Sequence, residues 1–143
     1  MKRRSPTKAE LVARMINAQS WNGRLDEGER RDLGLFAWIS YDWSKKAPCR
    51  QAVMNVISVC NLALVLANKG YPSEYSGECD HAFAVVLANM KLLIVRGKET
   101  GSWAMNGELI RNLPAIIALH EKQLSEVSRK VMDACVNFVR DNI

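Results

Sequence analysis

Cys79 and His81 flank Asp80, and this Cys-x-His spacing is the nearest approach to a metal half-site in the chain. Tetrahedral zinc sites draw ligands in close pairs such as CxxC or HxxxH, which set two corners at once. No second pair accompanies this one, and Cys135 or His120 would have to approach it in space. The expectation is therefore no metal and no cofactor, with buried thiols and a surface His81. Nucleophilic or acid–base catalysis needs a base within hydrogen-bond reach of its target, held by an orienting group. His120 and Glu121 are helix neighbours and point about 100° apart, so they cannot pair directly. His120 instead falls within an apolar stripe, where it reads as a core residue bonded to Gln123 or to a loop carbonyl. No glycine-rich phosphate loop follows a strand. These residues do not assemble an enzyme.

Binding chemistry is better represented. Trp38, Tyr41 and Trp43 fall within six residues, beside Lys45 and Lys46, in a chain with only ten aromatics. Aromatic rings next to cations are the composition of binding hot spots, which makes these five residues the candidate partner-binding surface. The competing reading is a small internal cluster in which the rings cap one end of a bundle. A second candidate surface is the C-terminal stretch. Ile117, His120, Leu124, Val127, Val131, Ala134 and Phe138 form one stripe, and Met132, Val136, Val139 and Ile143 form another roughly 100° round. A helix apolar on two sides needs a neighbour on its outer side, and a homodimer through this helix would supply one.

Nucleic acid is the alternative partner. Lys2, Arg3, Arg4 and Lys8 form a basic N-terminal tail, with residues 1–6 lying ahead of any helix. The net charge is +5, yet removing those four leaves 16 basic against 15 acidic residues, so the body is nearly neutral. Proteins that neutralise several phosphates present a wider positive surface. The first two predicted helices have the outline of a helix-turn-helix, but their joining segment exceeds the usual three or four residues. The second begins with Asp26, Glu27 and Glu29, where a recognition helix meets bases.

These side chains must be positioned by helices. Thr7 and Glu10 have capping-box spacing after Pro6, and Leu11, Val12, Met15 and Ile16 make one apolar face of a first helix ending at Asn22-Gly23. Asp26 and Glu29 repeat the cap for a second helix, with Leu33, Leu35, Phe36, Trp38 and Ile39 in its later half and a break from Asp42 to Pro48. Two long apolar runs follow, Ala52 to Ala67 and Ala82 to Val95, separated by the turn-rich Gly70 to Gly77. Segments apolar on nearly every face must be buried on nearly every face. They predict a central antiparallel helix pair, the first stopped by Gly70 and the second by Gly97. Gly97 to Asn106 reads as a loop. Pro114 then either kinks a long C-terminal helix or begins a new one.

At 143 residues and 48% hydrophobic composition the chain is sufficient for one domain with its own core. A membrane span needs about 20 apolar residues, more than the longest run here offers, and the N-terminus carries no apolar leader. A cytoplasmic protein without a membrane partner is expected. Cys49, Cys60, Cys79 and Cys135 lack short paired spacing and read as free thiols.

From about Asn61 onward the chain resembles a group of small helical proteins encoded on phages, plasmids and genomic islands of proteobacteria. The residues that carry this are Asn61-Leu62-Ala63, Ala67-Asn68-Lys69-Gly70, Thr100-Gly101-Ser102-Trp103 and Leu119-His120-Glu121-Lys122-Gln123-Leu124. Ser102 departs from the pattern, in which an arginine precedes the tryptophan. The resemblance covers somewhat over half the chain and implies a helical accessory protein, with no reaction attached. The resulting expectation is an all-α single-domain bundle of five or six helices, acting as a non-catalytic binder of a host or self-encoded protein.

Overall fold

The computed structural model describes Lys8 and residues 23–142. The first predicted helix and the tail residues Lys2, Arg3 and Arg4 lie outside the described residues. Among the described residues the protein is all-α: α1 (Glu27–Lys46), α2 (Arg50–Asn68), α3 (Asp80–Thr100), α4 (Gly107–Glu126) and α5 (Arg129–Asp141). They pack into one bundle, as expected.

Local sequence sets most of the ends. The Asp26 carboxylate accepts from the Glu29 amide at 2.8 Å, and the Glu29 carboxylate reaches back to the Asp26 amide, so the capping box opens α1. The helix continues past the predicted break at Asp42. Lys46 pairs with Asp42 at 3.0 Å, and Lys45 and Lys46 suit the negative end of the helix dipole. Pro48 stops it one residue later by forcing Ala47 out of helical geometry (φ −141°, ψ 68°). Gly70 ends α2 as predicted. It adopts φ +90°, its amide bonds Ala67, and the Tyr71 amide bonds Leu66, the paired bonds of a Schellman cap.

Two further boundaries differ from expectation. α3 runs through Gly97 to Thr100 and ends on Gly101 at φ +76°. Gly97 serves packing instead, since a Cβ there would stand 2.5 Å from the Trp103 ring. Of the two alternatives at Pro114, the single helix is the one found, since α4 continues through it. The single C-terminal helix expected beyond Pro114 is two. Val127 is extended, and the Ser128 hydroxyl caps α5 by accepting from the Val131 amide at 3.2 Å. The Arg129 amide donates to the Gly23 carbonyl at 2.9 Å, tying this corner to the start of α1.

Both long apolar runs enter the core, with α4 filling most of the space between them. Cross-chain bonds give the directions. Asn106 bonds Asn89 while Cys79 reaches Ala115, so α3 and α4 are antiparallel. Gln123 of α4 bonds the Ala63 carbonyl near the end of α2, so α2 and α4 run together and α3 opposes both. Val53, Val56, Leu113 and Ile116 lie at the centre, and a second cluster of Leu66, Leu124, Val127 and Cys135 seats α5 on α2. The second run is buried on one side only, because Leu92 and Val95 of α3 face outward.

Candidate protein-interaction surface

An amphipathic helix usually turns its large apolar residues to the core and its small or polar ones to water. α1 reverses this. Its buried positions are Gly34, Ala37, Ser40, Tyr41 and Ser44, four of them small. Its large apolar residues stand outside: Leu35 at 50% exposure, Phe36 at 46%, Ile39 at 62% and Trp43 at 40%. Small inner residues let the α1 backbone lie close to α2 and α4. The stem of Glu121 occupies the space beside Gly34, where a Cβ would meet its Cγ at 3.7 Å. Burying a side chain such as Leu or Phe stabilises by roughly 1.5–3 kcal/mol, so four left in water is a large forgone contribution.

The structure divides the five predicted contact residues. The Trp38 indole N–H donates to Glu121 Oε1 at 2.7 Å, and its ring meets Tyr41 edge-on at 6.2 Å. Tyr41 is buried, and its hydroxyl donates to the Ile110 carbonyl at 2.7 Å. That carbonyl lies four residues before Pro114, which has no amide hydrogen to offer it. Tyr41 thus supplies the bond that proline withholds. Tyr41 is corrected from contact residue to internal one, and burial raises the pKa of its phenol. Lys45 lies over the Tyr41 ring, 4.7 Å from its centroid. Of the three predicted rings only Trp43 faces outward, joined there by Leu35, Phe36 and Ile39. Leu35, Ile39 and Trp43 are spaced by four residues and lie opposite the small residues Gly34, Ala37 and Ser44, but Leu33, Trp38 and Tyr41 put apolar residues on the other sides too, so the spacing alone did not mark the outer face.

The chemistry-bearing residues are dispersed. His120 is buried, its Nδ1 lies 3.1 Å from Gln123 Oε1, and desolvation lowers its pKa. The Gln123 amide nitrogen donates to the Ala63 and Tyr71 carbonyls at 2.8 and 3.0 Å, so the pair fastens α4 to the end of α2. Cys79 lines an open hollow of about 360 Å³ with Tyr75, Glu78 and Lys122. Its thiol points at the Ala115 carbonyl, and burial holds it protonated, which makes it a poor nucleophile. Cys60 is pushed up to about 12 by complete burial. His81 is exposed. Among the described residues no group of three His, Cys, Asp or Glu side chains is placed to hold a metal ion. All four cysteines are free.

The C-terminal helix offers less than its two stripes suggested. Met132, Cys135 and Val139 of α5 are buried, and Val136 and Phe138 are left outside. Phe138 edges a groove of about 410 Å³ with Val65, Lys69 and Ala134. Of the basic tail residues only Lys8 is described, and it is exposed. α2 is long and apolar enough to cross a membrane by length and composition, and its inner residues pack in the core. No protein-family model matches the chain, and neither a curated protein nor a solved structure matches it.

Proposed function

We propose that this is a cytoplasmic, non-catalytic interaction protein that docks a protein partner, encoded by the host or by its own genetic element, on the outer face of α1. The single observation behind this reading is the reversed α1. A chain that needed α1 only for its own core would turn Leu35, Phe36 and Ile39 inward. The alternative, a DNA-binding regulator using Lys2, Arg3, Arg4 and Lys8, gains less support. Its recognition helix would be α1, whose first turn carries Glu27 and Glu29, with Glu29 committed to the cap and to Arg129.

Affinity purification from the native host tests the proposal, with Ile39→Glu compared against Leu92→Glu on α3. Both positions are exposed, so both variants keep their helical circular dichroism. Ile39→Glu is expected to lose the co-purifying chain, a second copy included, while Leu92→Glu retains it. Retention by Ile39→Glu overturns the reading.

A further inference from the structure

We infer that the partner on the outer face of α1 is a second copy of this chain, docked antiparallel about a two-fold axis at Ile39. This rests on the contact reading above and names its occupant. The evidence is a symmetry in the pattern of the face itself. Leu35 and Trp43 stand four residues either side of Ile39, and Asp32 and Lys46 stand seven residues either side. At about 100° per residue, all four project within about 40° of Ile39. The stripe therefore reads acid, apolar, apolar, apolar, base along one line of the helix.

Such a line is complementary to its own reverse. An antiparallel second copy sets Ile39 against Ile39, Leu35 against Trp43 and Asp32 against Lys46, and the two-fold axis makes each of the last two contacts twice. The seven-residue recurrence of Asp32, Ile39 and Lys46 is the spacing by which paired helices stay in register. Parallel pairing would instead oppose acid to acid and base to base.

The charges are available for this. Among the described residues Asp32 approaches the adjacent Arg31, at 3.7 Å, with both side chains at least 70% exposed. Lys46 holds Asp42 at 3.0 Å with its own side chain 75% exposed. Exposed pairs of this kind contribute little, so giving them up for a contact beside an apolar seam costs little. On α3, Val95 also has a base and an acid, Lys91 and Glu99, four residues either side of it, but Val95 alone separates them at four-residue spacing, whereas α1 sets Leu35, Ile39 and Trp43 between Asp32 and Lys46.

The full chain tests this by sedimentation equilibrium. The wild type should sediment as a dimer and Ile39→Glu as a monomer with unchanged helix content, since two carboxylates facing across the axis weaken association about a hundredfold. Asp32→Lys and Lys46→Asp should each weaken the dimer about tenfold, and the double exchange should restore it to within about threefold. A monomeric wild type, a dimeric Ile39→Glu, or a double exchange no better than the single ones overturns the inference. A photo-crosslinking residue at position 39, used in host cells, separates this from the broader reading. Capture of a second copy supports both. Capture of a different protein overturns the inference and leaves the contact reading standing, whereas capture of residues 9–22 of the same chain, or of solvent alone, overturns both.

Discussion

α1 and α4 are each 20 residues long and lie against one another, yet they sort residue size in opposite directions. α4 buries Leu109, Leu113, Ile116, Ile117 and Leu124 and shows Ala115, Ala118 and Lys122 to water. α1 buries Gly34, Ala37 and Ser40 and shows Leu35, Phe36 and Ile39. Each composition is accounted for by what the large side chains touch. α4 answers to the core of its own chain. α1 meets that core with small residues and Tyr41, and leaves Leu35, Phe36, Ile39 and Trp43 outside it.

Substitutions that exchange the roles of the two faces test this contrast most severely. Leu113→Ala leaves a cavity at a fully buried site and is expected to cost about 2–5 kcal/mol, read from the urea midpoint. Ala37→Leu gives α1 the inward bulk it lacks, and overpacking against its neighbours should cost about 1–3 kcal/mol in the same measurement. Tyr41→Phe strands the Ile110 carbonyl and should cost about 1 kcal/mol. That cost should shrink in a Pro114→Ala background, where residue 114 regains an amide to serve the same carbonyl. A double-mutant cycle showing no such coupling would break the account of Tyr41. The smallest effect on the fold belongs to Ile39→Ala, expected within about 0.5 kcal/mol in dilute solution. If that change cost as much as Leu113→Ala, the outer face of α1 would be core and the contrast would vanish.

Titration separates α4 further. His120 is neutral in the folded bundle because burial disfavours its cation, so its pKa lies below the ordinary 6.5. The unfolded chain then binds the extra proton first as the solution is acidified. His120 therefore costs no stability above about pH 6.5, and stability is lost as the pH falls below it toward the folded pKa. Urea midpoints at pH 7.5 and pH 5.5 should show this loss, and His120→Gln should flatten it. A loss of equal size in the variant would place its origin elsewhere.

Much of the fold was legible because the signals were local. The Asp26–Glu29 box and the Gly70 stop each involve residues a turn apart, and both formed as read. Gly97 misled because nothing near it reports that the Trp103 ring will need its missing Cβ. The break at Ser128 hid behind Leu124, Val127 and Val131, whose spacing of three and four runs on across the corner. The site was legible only in part. Between Leu33 and Trp43 apolar residues occur on every side of the helix, so no periodicity says which set faces in. That choice is made by α4, through a Tyr41 bond spanning 69 residues. Trp43 survived as an outward residue, while Trp38 and Tyr41 were claimed by partners far along the chain.

Proline at 114 leaves one rung of α4 open, and the Tyr41 hydroxyl closes it. The rungs above and below hold their own amides, so the hydroxyl has no neighbouring place to slip to. α1 is thereby indexed along the length of α4, like a key cut for a single ward. The height at which Leu35, Ile39 and Trp43 stand on the molecule is set by that bond together with the one from the Trp38 indole to Glu121. Whatever settles on that row meets it at a fixed elevation.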